Sequence, residues 1–66
     1  MQIILNGQII EVPQPCNLAD LLAQQQLTGR RLAIEVNQEL VPRSQFADYQ
    51  LAANDRVEII QAVGGG

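Results

Sequence analysis

Few side chains in this 66-residue sequence can do chemistry. There are seven carboxylates, four arginines, one cysteine and one tyrosine, with no histidine, lysine or tryptophan. General acid–base catalysis needs titratable groups with shifted pKa values converging in a pocket. Here Glu11, Asp20, Glu35, Glu39, Asp48, Asp55 and Glu58 are spread over turns and outward strand positions, the ordinary pattern of a solvated face. Cys16 precedes a helix start, where a thiol can be activated. Between Pro15 and Asn17 it also fits as a small apolar staple, which is its expected role. One cysteine excludes an internal disulfide framework and every multi-cysteine metal spacing, so no metal site is expected. What remains is Gly64-Gly65-Gly66. Three glycines weaken a strand, and as a chain end they read as frayed. Alternatively, a backbone without Cβ atoms can thread a narrow slot and carry a terminal carboxylate into another protein's site.

Composition narrows the class. A net charge of −3 and a pI near 4.4 argue against a nucleic-acid binder, which needs a basic stripe. No apolar run approaches the ~18 residues of a membrane span, and the first residues lack the basic region of a signal peptide. A cytoplasmic protein with no membrane or nucleic-acid partner is expected. At this length there is room for one domain, which buries about 60% of its unfolded surface.

The elements that would hold such a tail are legible. Apolar runs at 1–5 and 8–12 flank Asn6-Gly7, the dipeptide suited to a type I′ hairpin turn. A two-residue turn sets Leu5 opposite Gln8, Ile4 opposite Ile9, Ile3 opposite Ile10 and Met1 opposite Val12. Met1, Ile3, Leu5, Ile10 and Val12 then face the core, with Ile4 and Ile9 paired on the other side. Pro13 and Pro15 stop the second strand. Asn17 is a good N-cap with Asp20 at N3, and Leu18, Leu21 and Leu22 mark a buried helical stripe that should end near Gln26. Period-two alternation gives a strand at 32–36, a turn at Asn37-Gln38 and a short strand at 39–41 before Pro42. Residues 43–49 form a helical turn or wrapped loop anchored by Phe46, and Leu51 closes the core. Asn54-Asp55 turns into a last strand at 56–62, with Val57 and Ile59 inward and Glu58 and Ile60 outward. A hairpin, a helix crossing one sheet face and further strands make an α+β roll. The right-handed crossover rule places the last strand beside the first, in parallel, at the centre of the sheet. This is a ubiquitin-like β-grasp: a mixed sheet of four to five strands with one main helix, residues 1–62, followed by a flexible glycine-rich tail, 63–66.

That arrangement ending in Gly-Gly resembles the ubiquitin-like sulfur carriers, and among them the ThiS family of thiamine biosynthesis. The resemblance runs through Met1-Gln2-Ile3 with Asn6-Gly7, Leu18-Ala19-Asp20-Leu21-Leu22, Ala33-Ile34-Glu35-Val36-Asn37 and Val41-Pro42-Arg43, closing with residues 54–63 and the terminal glycines. Asn54 stands where the family usually has glycine, and asparagine tolerates the left-handed conformation nearly as well. Gly64 is an extra glycine before the usual pair. The resemblance implies that the Gly66 carboxylate is adenylated by a ubiquitin-activating-like adenylyltransferase of the ThiF type, which uses ATP and magnesium. Sulfur from a persulfide, supplied through a cysteine desulfurase, then converts it to a thiocarboxylate. Thiazole synthase, of the ThiG type, takes that sulfur for the thiazole ring of thiamine. On this reading Gly64, Gly65 and Gly66 form the inserted tail, no cofactor is bound, and the chain is a protein co-substrate with no catalytic residues.

In the β-grasp order Ile9, Ile4 and Ile60 are expected side by side on the outer sheet face, with Ala62 continuing toward the tail. Such a patch marks a docking surface, and Glu58 and Glu11 beside it suit a basic partner. Three rival readings stand. The small subunit of molybdopterin synthase shares the fold, tail and chemistry but is usually longer. A ubiquitin-like modifier is limited by the absence of lysine, which prevents chain-building on itself. A plain binding module would carry inert glycines.

Overall fold

The computed structural model describes residues 1–62; the glycine tail named above, with Val63, lies outside them. The hairpin forms as its turn dictates. Strands β1 (Gln2–Leu5) and β2 (Gln8–Glu11) pair antiparallel with Ile3 opposite Ile10, Ile4 opposite Ile9 and Leu5 opposite Gln8. Asn6 and Gly7 take φ of +49° and +83°, the left-handed pair that a type I′ turn requires. Both strands are one residue shorter than expected. Even so, Met1 and Val12 still bond: the Val12 N–H donates to the Met1 carbonyl at 2.9 Å, and the Met1 ammonium donates to the Val12 carbonyl at 2.7 Å.

Helix α1 (Leu18–Gln24) starts on a full capping box. The Asp20 N–H donates to Asn17 Oδ1 at 2.7 Å and the Asn17 N–H to Asp20 Oδ2 at 3.3 Å. It ends two residues sooner than the expected Gln26. Gln26 has φ of +61°, its N–H donates to the Ala23 carbonyl, and the Leu27 N–H reaches back to Leu22 at 2.8 Å. That is a Schellman stop with glutamine in the position glycine usually fills. Leu27 packs on the core, which supplies the apolar contact such a stop uses.

Strands β3 (Leu32–Val36) and β4 (Glu39–Val41) form a second hairpin across Asn37 and Gln38, both at positive φ. A single 3-10 turn (Arg43–Gln45) then drops Phe46 into the core. The wrapped segment that follows lies against the start of α1. Leu18 and Ala19 N–H groups donate to the Tyr49 and Phe46 carbonyls, and Leu51 donates to Cys16. Donors that a helix start leaves unsatisfied therefore find partners. Strand β5 (Arg56–Gln61) enters the middle of the sheet, giving the order β2-β1-β5-β3-β4, with β5 parallel to β1 and antiparallel to β3. It is one residue shorter than expected, though the Ala62 N–H still donates to the Arg31 carbonyl at 2.9 Å.

One core results. Ile3, Leu5, Ile34, Val36, Val57 and Ile59 from the sheet bury against Leu18, Leu21 and Leu22 from α1, with Phe46 and Leu51 closing it. This is the expected β-grasp, with five strands. The opposite sheet face is left without a covering layer among the described residues.

Candidate functional site

The expected site has two parts: the tail and the bare sheet face that would present it. Gly64, Gly65 and Gly66 lie outside the described residues, so the geometry concerns the face and the root of the tail. Alternation along β5 turns Val57 and Ile59 into the core and leaves Arg56, Glu58 and Ile60 outside. On β3 the same rule puts Ala33 and Glu35 outside, opposite Ile60 and Glu58 respectively.

The register corrects the expected apolar stripe. Ile4 and Ile9 are direct cross-strand neighbours, but Ile4's partner on β5 is Arg56. Ile60 lies four residues further along, about 13 Å at the usual strand rise. Between the two apolar groups lie Glu58 and Glu35, directly opposite each other. Ile9, Ile4 and Ile60 are therefore not side by side. The cause is that β1 ends at Leu5 against Val57, whereas β5 runs on to Gln61. The expected stripe therefore splits into Ile4 with Ile9 at one end and Ile60 with Ala62 at the other. Ile4 is half-buried, while Ile9 and Ile60 are 68% and 53% exposed. Ala62 does continue from Ile60 toward the tail, as expected. Of the flanking acids, Glu58 stands free of any ion pair among the described residues, whereas Glu11 sits 3.5 Å from the Met1 ammonium.

Past the end of β1, the inner half of β5 would lose a partner on that side. Asn6 takes over: its N–H donates to the Val57 carbonyl and its Oδ1 accepts from the Ile59 N–H, both at 2.9 Å. The hairpin turn thus extends the ladder that holds the root of the tail. Sequence reading assigned Asn6 a turn role only; its reach to Ile59 spans 53 residues and leaves no local signature.

A shallow groove of ≈ 470 Å³ lies at the same end of the sheet, with Ala33, Ile60 and Ala62 among its walls and Arg31 and Arg43 beside them. None of these but Ile60 and Ala62 was expected to matter. The signal was parity: if Leu32 and Ile34 point inward, Arg31 and Ala33 point outward. The same parity, with Val41 inward, puts Leu40 outside at 66% exposure.

Cys16 is buried, and desolvation, with a smaller push from Asp20, raises its thiol pKa above the ordinary value. It is buried in the core cluster that also holds Leu21, where its expected staple role would place it. Among the described residues no group of three or more histidine, cysteine or acidic side chains is placed to hold a metal ion. No helix among them is long and apolar enough to cross a membrane.

Comparison with known proteins extends the reading to the chain's last residue. The model of the ThiS family matches residues 3–66. The sulfur carrier protein ThiS of Escherichia coli is 30% identical over 66 residues, covering all of both chains. A thiazole synthase of Paramagnetospirillum magneticum is 30% identical over 66 residues, all of this chain but 20% of that one. The crystal structure of the thiamine biosynthesis protein ThiS from Geobacter metallireducens superposes with a TM-score of 0.85 at 26% identity, covering both chains fully. With the family pattern matched from the first strand through the final glycine, and the same fold beneath it, this chain belongs to the ThiS family.

Proposed function

We propose that this chain is a cytoplasmic sulfur carrier that activates nothing itself and is acted on at the Gly66 carboxylate. A carboxylate is a poor electrophile because its oxygen leaves badly. In the proposed cycle a ThiF-type adenylyltransferase, with ATP and magnesium, joins that oxygen to the α-phosphorus and releases pyrophosphate. The outer sulfur of a persulfide derived from a cysteine desulfurase displaces AMP, giving an acyl disulfide with the donor. A second thiol then cleaves the sulfur–sulfur bond and leaves the thiocarboxylate. Thiazole synthase takes the sulfur for the thiamine thiazole ring. The catalytic groups belong to the partners, and this chain supplies a handle and a thin tail in Gly64, Gly65 and Gly66.

One observation carries the reading: the family match runs through Gly66, a few residues beyond the central strand β5 in the chain. The 66-residue match within a much longer thiazole synthase supports the proposed destination of the sulfur. Ile60 and Ala62 at the root of the tail, with Ile4 and Ile9 as a separate patch, are the proposed docking residues.

The test is intact mass after incubation with the purified activating enzyme, ATP, magnesium and a persulfide source. The expected product carries sulfur in place of one oxygen at Gly66, and a variant with one residue added after Gly66 stays unmodified while folding normally. Equal loading of that unprocessed extended variant would overturn the reading. Sulfur transfer to a molybdopterin precursor in preference to thiazole synthase would move the chain to the other branch of carriers.

A further inference from the structure

The protein carries a net charge of −3 with only four cationic side chains, yet two of the four border one apolar groove. Arg31 and Arg43 stand beside the surface made by Ala33, Ile60 and Ala62, at the end of β5 that leads into the tail. Neither pairs with a carboxylate among the described residues. Arg43 is held in place: one Nη donates to the Arg30 carbonyl at 2.8 Å and the guanidinium lies 5.9 Å from the centre of the Phe46 ring. An arginine fixed in this way has surrendered much of its rotamer freedom before any partner arrives, which lowers the entropy cost of binding. The next outward row along the sheet is Glu58 opposite Glu35, about 7 Å away.

From this geometry we propose that the groove is a docking site for an extended acidic segment of the activating partner. A carboxylate of that segment sits between Arg31 and Arg43, and a small apolar neighbour lies on Ile60 and Ala33. Guanidinium pairs favour carboxylates geometrically as well as electrostatically. The Glu35–Glu58 row repels the same segment one step along, so the charge pattern fixes where along the sheet it lies. Naming the partner as the activating enzyme rests on the carrier reading; the acidic chemistry of the segment rests on the groove.

The experiment is calorimetric titration of the purified ThiF-type activating enzyme with wild-type carrier, Arg31→Glu, Arg31→Lys and Arg43→Met, at two salt concentrations, first without nucleotide and then with ATP. Arg31 is exposed and, among the described residues, its hydrogen bond runs from the Ala62 N–H to its backbone carbonyl, so its side-chain variants should keep the fold, as circular dichroism will check. Arg31→Glu is expected to weaken binding about tenfold or more at low salt, with the difference shrinking at high salt, while Arg31→Lys stays within about threefold of wild type. Arg43→Met, which keeps an apolar stem on Phe46, is expected to fall in the same direction as Arg31→Glu. Unchanged affinity of folded Arg31→Glu overturns the groove proposal, as does absence of wild-type binding. A dependence on Arg31 that appears only with ATP also overturns it, since it would assign the arginines to the nucleotide. Arg31-dependent binding with no AMP label ever reaching Gly66 would leave the groove standing and overturn the carrier reading.

Discussion

Replacing Asn6 should loosen the strand that carries the tail, and the structure separates two contributions to the loss. Asn6 Oδ1 accepts the Ile59 N–H at 2.9 Å where β1 has already ended, and Asn6 holds φ of +49°. Asn6→Gly keeps the left-handed backbone accessible but leaves the partly buried Ile59 N–H without its acceptor. Losing a partner for such a donor costs about 1–2 kcal/mol. Asn6→Ala loses the same bond and adds about 1 kcal/mol for a Cβ forced into the left-handed region, so it should cost about 2–3 kcal/mol. Asn6→Asp keeps an acceptor and stays nearer to wild type. Urea unfolding followed by circular dichroism reads these differences as shifts in midpoint at constant slope. Amide exchange at Ile59 should accelerate in Asn6→Gly and Asn6→Ala together. A domain of this size loses roughly 4–8 °C of Tm per kcal/mol, so the order wild type, Gly, Ala should be visible in a melt as well. If Asn6→Gly matches wild type in both midpoint and Ile59 protection, the side chain does not extend the ladder and the reasoning fails.

Three further outcomes follow from other parts of the molecule. Ile60→Glu should weaken binding of the activating enzyme about tenfold with an unchanged circular dichroism spectrum, and more than Ile9→Glu, which sits beyond the Glu35–Glu58 row; titration of both variants ranks them, and equal effects would restore a single continuous patch. Gln26→Gly should raise stability by about 0.5–1 kcal/mol, because Gln26 closes α1 at φ of +61° where glycine carries no steric penalty; a urea midpoint no higher than wild type would show that the stop is unstrained. The buried Cys16 thiol has its pKa raised by desolvation above its ordinary 9.0. The unfolded thiol therefore loses its proton first, and the stabilising contribution, complete below pH 9, declines as the pH rises through the folded value. Cys16→Ala should remove that decline, measured as stability between pH 8 and 9.5, below the range where Tyr49, also raised by burial, begins to contribute.

Much of this fold is local, and what is local could be read from the chain. Asn6-Gly7 and Asn37-Gln38 fix two hairpins, because a two-residue turn at positive φ leaves one register open and parity then assigns every side chain a face. Asn17 with Asp20 fixes the start of α1, since both halves of the capping box lie within one turn. The spacing of Leu18, Leu21 and Leu22 fixes which side of the helix is buried, and Gly64-Gly65-Gly66 with the β-grasp order pointed to a carrier. The stop of α1 was less legible: glutamine at the left-handed position gives no compositional warning, and Leu27 reaching back to Leu22 is what closes the turn.

What tertiary structure alone decided is the register of β5 against β1, whose parallel pairing the crossover rule already gave. No turn joins those strands, and fifty residues lie between them, so their offset is set by how α1 and the wrapped segment pack beneath the sheet. That offset places Ile4 against Arg56 rather than Ile60 and separates the Ile4–Ile9 pair from Ile60 by the Glu35–Glu58 pair. It also leaves Val57 and Ile59 of β5 to be held by Asn6, while the β3–β5 pairing brings Arg31 beside Ala62. Parity along each strand was written in the sequence, whereas the alignment of strands distant in the chain follows only from filling one core, because a parallel ladder has no covalent ruler of its own.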